Sequence, residues 1–70
     1  MSETSFAFDD FSKYEGYLKG FAYKLTQDWH QAEDLFQETA FLAFKNQNKF
    51  RSGSNLRAWL TTIMRNTFIN

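Results

Sequence analysis

Residues 28 to 48 read DWHQAEDLFQETAFLAFKNQN, and this stretch has the apolar spacing of one amphipathic helix. A helix turns by about 100° per residue, which places six small or apolar residues on one side: Ala32, Leu35, Phe36, Thr39, Leu42 and Ala43. Asp28 is a suitable N-cap, and Glu33 and Asp34 lie near the positive end of the helix dipole. The sequence therefore predicts a helix from Asp28 to about Asn48 that buries this stripe.

The same helical spacing occurs on both sides of this stretch. From about Asp10 to Thr26, apolar residues recur every three or four positions: Phe11, Tyr14, Leu18, Phe21, Ala22 and Leu25. After the loop-like stretch FRSGS at 50–54, Ser54 or Asn55 can cap a third helix whose apolar face carries Leu56, Leu60, Ile63, Met64 and Thr67. No segment alternates with the period of a strand. We predict an all-α fold, a small three-helix bundle over residues 10 to 70, preceded by a flexible acidic tail at residues 1 to 9.

The composition excludes several kinds of protein. Of the 70 residues, 43% are hydrophobic and 20% are aromatic, including nine Phe, which argues against a disordered chain. There is no Cys and a single His, His30, so the chain offers neither a Cys or His metal cluster nor a Ser–His–Asp triad. A glycine-rich phosphate loop is also absent. We predict a protein that is not an enzyme and that holds no metal and no cofactor.

The chain also lacks membrane and export signals. No apolar run approaches the length of a membrane span, and the N-terminal MSETSFAFDDF has neither the basic start nor the apolar stretch of a signal peptide. We therefore expect no membrane span and a cytoplasmic location.

Charge is unevenly distributed along the chain, although the formal net charge is zero. All eight acidic residues lie between Glu3 and Glu38, whereas the part after Glu38 contains Lys45, Lys49 and three Arg with no acid. Such a division is typical of two surfaces with different partners, and the basic part could neutralise phosphates. Chance clustering in a short chain is the alternative.

The side of the middle helix opposite its apolar stripe carries a mixed set of residues: Asp34, Gln37, Glu38, Phe41 and Lys45. We call Asp34, Gln37, Glu38 and Phe41 the docking ridge, because protein interfaces favour an aromatic anchor within a polar and charged rim. The alternative is a solvated helix face with one exposed Phe, which folded proteins tolerate. The spacing alone does not choose between the two.

The third helix carries a second line of polar and aromatic residues beside its apolar face: Asn55, Trp59, Thr62 and Asn66, with Arg65 farther around. The preceding loop adds Lys49, Phe50 and Arg51, and we call these eight residues the nucleotide face. Aromatic rings can stack on unpaired bases, and amides can bond to base edges. An aromatic and a basic residue beside a Gly/Ser loop could hold a flipped base. In the alternative interpretation, Trp59 belongs to the core and Phe50 closes the end of the bundle.

Three motifs in this order resemble the bacterial RNA polymerase sigma factors, most closely the extracytoplasmic-function (ECF) class. They are AEDLFQE at 32–38, Phe50-Arg51, and WLTTIMRN at 59–66. The resemblance covers about residues 10 to 70 and implies the conserved-region-two domain of that family, a helical bundle. Members normally continue through a linker into a helix-turn-helix domain for the −35 element, which is absent here, so we expect this chain to be part of a longer protein.

The resemblance implies two partners. In this family the second helix docks on the clamp helices of the polymerase β′ subunit, and Asp34, Leu35, Gln37 and Glu38 match that motif, although the wheel places Leu35 on the core side. The loop and third helix bind the nontemplate strand of the promoter −10 element and capture a flipped base. The residues that match there are Phe50, Arg51, Trp59 and Asn66. The spacing adds Phe41 to the first surface and Lys49, Asn55, Thr62 and Arg65 to the second.

We therefore predict a transcription initiation factor domain that binds the RNA polymerase core and melts the −10 element through the single-stranded nontemplate DNA. The competing hypothesis is a helical protein–protein adaptor without a nucleic-acid role, in which the third helix is structural. The sequence leaves open whether an anti-sigma factor is a third partner.

Overall fold

The computed structural model describes residues 6 to 70, and every regular element in that part is helical. The elements in chain order are α1 (Phe8–Ser12), α2 (Glu15–Thr26), α3 (Trp29–Lys45), a short 3-10 helix (Gln47–Lys49) and α4 (Leu56–Ile69). α3 packs against both α2 and α4, which also contact each other. The predicted all-α bundle of three long helices is confirmed, and α1 is added to it.

Among residues 6 to 70, no helix has both the length and the apolar character needed to cross a lipid bilayer.

Side-chain caps fix where α3 and α4 begin. The Asp28 carboxylate accepts a hydrogen bond from the backbone N–H of Gln31 at 3.0 Å, as predicted. Asn55 does the same for Ala58 at 3.0 Å and is the cap of α4. Each cap satisfies a backbone donor that the first helical turn leaves without a partner, which contributes about 1 kcal/mol.

The end of α3 differs from the prediction by a few residues. The α-helix stops at Lys45 rather than near Asn48, because Asn46 leaves the helical conformation, with φ −110° and ψ 21°. The Asn46 side-chain amide donates to the Leu42 carbonyl at 3.0 Å, and a 3-10 turn follows. Such local side-chain bonds compete with helix continuation, and they are typical of Asn.

The first predicted helix is interrupted rather than continuous. Lys13 and Tyr14 form a turn between α1 and α2, with the Tyr14 N–H bonded to the Phe11 carbonyl at 3.0 Å. Phe11 packs against the rings of Phe36 and Phe44 at centroid distances of 6.0 and 5.1 Å. Tertiary packing of this aromatic side chain outweighs the helical propensity of the segment.

The core lies where α2, α3 and α4 meet. The largest side chains that are wholly shielded from solvent are Leu18, Thr39, Leu60 and Met64. The Thr39 hydroxyl donates to the Leu35 carbonyl at 2.8 Å, which satisfies the one polar group of that side chain inside the core. The predicted stripe of α3 faces this core, since Ala32, Leu35, Thr39 and Ala43 are buried and the remaining members are partly buried.

The predicted flexible tail is wrong for its residues 6 to 9, which are ordered against the bundle. Its residues 1 to 5 lie outside the described part of the chain. Phe6 is only 4% exposed and forms an aromatic cluster with Phe44, Phe50 and Trp59, at centroid distances of 5.3, 5.9 and 5.8 Å. Phe8 and Asp9 already belong to α1. Burying the ring of Phe6 stabilises the fold by up to about 3 kcal/mol, which is why the acidic composition of this segment did not keep it in solvent.

We predict that Phe6→Ala lowers the free energy of unfolding by about 3 to 5 kcal/mol, because it leaves a cavity within the aromatic cluster. Urea unfolding followed by circular dichroism measures the change. Phe8→Ala is the matched control, since Phe8 is 66% exposed and its loss should cost about 1 kcal/mol or less. Equal and small effects of the two substitutions would contradict the burial of Phe6.

Candidate functional site

The docking ridge is exposed along the outer side of α3. Asp34, Gln37, Glu38 and Phe41 are all exposed, and the ring of Phe41 is 63% accessible to solvent. An aromatic ring this exposed contributes little to the fold itself. The ridge therefore has the composition that the sequence predicted, with its side chains free of the core.

Leu35 does not lie on this surface. Its side chain is only 8% exposed and is part of the hydrophobic core. It lies on the buried side of α3, as the wheel indicates, whereas Asp34 and Gln37 are exposed. The expectation from the family motif that Leu35 contacts the polymerase is therefore corrected, because its side chain is covered by the core.

The charges of the ridge are largely uncompensated. Within residues 6 to 70, the ion pairs are Lys13–Asp10 and Lys19–Glu15, and neither involves Asp34 or Glu38. Gln37 donates from Nε2 to Glu33 at 3.2 Å, which orients its amide. Lys45 lies at the end of the ridge with its Nζ 5.7 Å from the Phe41 ring centroid. The ridge thus presents a net negative surface around an aromatic ring.

Phe50 is a core residue in this structure. It is 6% exposed, and its ring packs between Phe6 and Trp59, with centroids 5.9 and 5.2 Å away. A base cannot stack on a ring that is covered in this way, so the direct stacking expected of Phe50 is corrected. The alternative from the sequence, a ring that closes the end of the bundle, is the one observed.

The loop that follows Phe50 presents its charged residues to solvent. Lys49 and Arg51 are exposed on either side of the buried ring. The Arg51 carbonyl accepts a bond from the Ser54 N–H at 3.0 Å, and Gly53 within this turn has φ +93°. Only Gly adopts that conformation without strain, which explains why the turn between Arg51 and α4 contains it.

Trp59 and Asn66 line a groove between α3 and α4. Trp59 is partly buried, with one side packed on Phe50, while Asn66 is exposed. The other residues of the groove come from α3, from the segment that follows it and from α4: Leu42, Asn46, Lys49, Ile63, Thr67 and Asn70. This groove brings together an aromatic edge, side-chain amides and a Lys, which are groups that can contact an unpaired base.

The remaining residues of the nucleotide face lie on the other flank of α4. Asn55, Thr62 and Arg65 line a separate groove between α2 and α4, which also contains Tyr17 and Arg57. The side-chain Oδ1 of Asn55 already accepts the capping bond from the Ala58 N–H, so this residue has a structural role. The residues that the helical wheel placed on one line of α4 therefore lie in two different grooves, one on each flank of this helix.

The groove between α2 and α4 contains residues that the sequence did not assign to a site. The Arg57 guanidinium carbon lies 4.4 Å from the centroid of the Tyr17 ring, and that of Arg65 lies 5.7 Å from the Phe21 ring. Tyr17 and Phe21 are nearly parallel, one helical turn apart on α2. Spacing predicted Phe21 as core and left Tyr17 out. The pairing of these rings with Arg residues 40 or more positions later required the tertiary structure.

No metal site competes with these surfaces in residues 6 to 70. That part of the chain holds no group of three or more His, Cys, Asp or Glu side chains that could bind an ion.

Residues 11 to 70 match the family model of sigma-70 region 2. The chain belongs to the sigma-70 region 2 family. The match includes the whole docking ridge and the whole nucleotide face, and it begins after Phe6 and most of α1. No solved structure matches the chain significantly.

Relatives of this region 2 chain carry the names of RNA polymerase sigma factors, two of them of the ECF class. It is 49% identical over 51 residues to the ECF RNA polymerase sigma factor EcfG of Rhodopseudomonas palustris (strain TIE-1), covering 73% of this chain and 28% of the relative. It is 43% identical over 54 residues to the ECF RNA polymerase sigma factor SigG of Mycobacterium tuberculosis (strain ATCC 25618 / H37Rv), covering 77% of this chain and 15% of the relative. The RNA polymerase sigma factor YlaC of Bacillus subtilis (strain 168) is 34% identical over 62 residues, covering 89% and 36%. The chain thus spans between 15% and 36% of the length of these relatives.

The electrostatics of the groove between α2 and α4 act on Tyr17 of this region 2 domain. A hydrogen bond with Thr61 lowers the pKa of the Tyr17 phenol below its usual 10.0, and the nearby charges of Arg57 and Arg65 act in the same direction. The Thr61 hydroxyl lies 3.3 Å from the Tyr17 hydroxyl oxygen. Desolvation opposes these effects. The contact with Thr61 is thus the main cause of the lowered pKa, and the charges of the two Arg residues are smaller causes.

We predict that Tyr17 titrates below pH 10.0, the usual value for tyrosine. Because its pKa is depressed in the folded chain, ionisation contributes stability that is present above the unfolded-state value and is lost as the pH falls through the folded-state pKa. The ultraviolet absorbance of tyrosinate, compared between the natural chain and Tyr17→Phe, measures this pKa. Substitution of Arg57 by Gln should raise it. A pKa of Tyr17 at or above the usual value would show that desolvation dominates.

Proposed function

We propose that this region 2 domain acts in transcription initiation: the docking ridge binds the RNA polymerase core, and the nucleotide face holds the unpaired nontemplate strand of the promoter −10 element. The observation that carries the proposal is the exposure of the docking ridge on α3 together with that of Lys49, Arg51 and Asn66 beside α4, on two sides of one packed core. The names of the relatives, which are RNA polymerase sigma factors, support the same assignment.

Charge and shape support the ridge as the polymerase contact. Asp34 and Glu38 are exposed and have no ion-pair partner within the described chain, so a positively charged protein element can pair with them without first displacing an internal cation. Phe41, exposed beside them, provides the apolar anchor that interface hot spots commonly use. We assign the clamp helices of the β′ subunit as this element, on the family resemblance of Asp34, Gln37 and Glu38.

The groove between α3 and α4 is the proposed site for an unpaired base. Extracting a base from the stack costs a few kcal/mol, and contacts with the exposed edge of Trp59 and the free amide of Asn66 would offset that cost. Lys49 and Arg51 flank the loop, where they can neutralise the adjoining phosphates. Phe50 contributes by supporting Trp59 from the core side. No step of this function requires the domain to catalyse a reaction.

We predict that Gln37→Ala combined with Glu38→Ala weakens capture of RNA polymerase core about tenfold or more, because an anchored charge-assisted contact at an interface is worth roughly 1.5 to 3 kcal/mol. The measurement is a pull-down or biolayer titration of the core enzyme with the tagged chain. Since both residues are exposed, the fold should survive, and circular dichroism checks this.

Asp9→Ala is the control for that experiment, because it removes one exposed carboxylate from α1 rather than from α3. It should leave polymerase capture unchanged. If the ridge variant also binds as well as the natural chain, the assignment of the ridge is wrong.

We further predict that a single-stranded −10-like oligonucleotide changes the fluorescence of Trp59. Trp29 is 68% exposed and stacks on Tyr23 with centroids 4.2 Å apart, so Trp29→Phe leaves Trp59 as the reporter. At high protein concentration the signal should quench on titration, and Asn66→Ala should weaken the effect for the −10-like strand. A scrambled strand of equal length is the control. An unchanged Trp59 signal would favour the adaptor hypothesis, in which α4 is purely structural.

A further inference from the structure

We propose that the groove between α2 and α4 is a binding site for a phosphodiester backbone, in which Arg57 and Arg65, held against Tyr17 and Phe21, contact two phosphates of one nucleic-acid strand. This inference deepens the proposed function. It rests on that function for identifying the bound strand as promoter DNA. It assigns a role to α2 and to Arg57, which neither the family resemblance nor the docking ridge requires.

The two guanidinium groups are positioned but not neutralised. Arg57 stacks on Tyr17 at 4.4 Å and Arg65 lies over Phe21 at 5.7 Å. The ion pairs found in residues 6 to 70 include neither Arg. Stacking on a ring restricts the guanidinium while leaving its N–H edge available, and that edge matches the oxygens of a phosphate. A site whose cations are already ordered loses less entropy when it binds.

The rest of the groove adds no opposing charge. Its lining in the described chain contains no carboxylate. The hydroxyl groups of Thr61 and Thr62 donate to the backbone carbonyls of Arg57 and Ala58 at 2.7 and 3.0 Å, so their protons are already engaged. The guanidinium groups of Arg57 and Arg65 are therefore the donors that the groove offers to an anion.

The distance between the two Arg residues favours a strand over a small anion. Arg57 and Arg65 are eight positions apart on α4, which corresponds to about 12 Å along the helix axis. The rings of Tyr17 and Phe21, on which the two guanidinium groups lie, have centroids 6.2 Å apart. The two groups therefore occupy separate places along the groove, and each can pair with its own phosphate of one backbone.

The test is the salt dependence of oligonucleotide binding by the 70-residue chain, with Arg57→Gln and Arg65→Gln combined. Each phosphate contact on a single strand contributes about 0.7 to the slope of log affinity against log salt. Raising the salt from about 50 to about 200 mM should therefore weaken the natural chain roughly sevenfold more than the double variant. The loss should be equal for −10-like and scrambled strands, because phosphates carry no sequence information.

Two further variants separate charge from packing. Arg57→Lys with Arg65→Lys keeps both charges and should retain most of the salt dependence. Lys13→Gln with Lys19→Gln removes the same formal charge from cations that already have carboxylate partners at 3.9 and 3.0 Å, and it should change the slope much less. Circular dichroism establishes that each variant is folded. Inorganic phosphate at matched ionic strength should not displace the strand, and displacement would show a small-anion site instead.

The outcomes distinguish this inference from the proposed function. If the natural chain prefers the −10-like strand but the Arg-to-Gln variant keeps the same salt slope, the groove is only a packing contact between α2 and α4, and the inference is wrong. If the slope falls but the chain shows no preference between strands, the phosphate site stands and −10 recognition is wrong. A natural chain that binds neither strand would contradict both.

Discussion

The packing of α3 between α2 and α4 is the constraint on which the rest of the structure depends. Its buried side consists of small or compact residues such as Ala32, Thr39 and Ala43, so both neighbouring helices can approach it closely. Thr39 can be buried there because its hydroxyl bonds to the Leu35 carbonyl of the preceding turn. A helix that is buried on this side must present the opposite side to solvent, and that side is the docking ridge. The ridge is therefore held by the core and not by contacts of its own.

The aromatic cluster at one end of the bundle joins three parts of the chain that are distant in sequence. Phe6 precedes α1, and Phe44 lies in the last turn of α3. Phe50 begins the loop before α4, and Trp59 lies in the first turn of α4. Packing Phe50 inside the cluster fixes the start of this loop, and it leaves one side of Trp59 covered and the other in the groove with Asn66. The surface proposed to hold a base is thus built on the same rings that stabilise the fold. Substitutions of Trp59 or Phe50 will affect stability and binding together, which is why Asn66 is the cleaner probe.

Sequence spacing predicted the features that depend on neighbouring residues in one helix. The stripe of α3, its Asp28 cap, the Asn55 cap and the exposure of Asp34, Gln37 and Glu38 all follow from helical periodicity and capping chemistry. Features set by long-range packing were not predictable in this way. The turn at Lys13 and Tyr14, the burial of Phe6 and the burial of Phe50 result from rings that meet across the bundle. Helical wheels also place residues on one continuous line without showing that neighbouring helices divide it, as α2 and α3 do along α4.

That division gives α4 two chemically different flanks. The α3 side combines Trp59 with the amides of Asn46 and Asn66, groups suited to the edges and faces of bases. The α2 side carries Arg57 and Arg65, whose guanidinium groups suit phosphates. A single strand that crosses α4 can place its bases on one flank and its backbone on the other. The acidic residues, which lie no later than Glu38 in the chain, would repel a backbone on the far side of the bundle. Because the eight acidic residues balance the eight Lys and Arg residues, the domain alone should hold DNA weakly. A partner docked on the ridge would neutralise some of these acids and would fix α4 beside the strand, and both effects would strengthen binding.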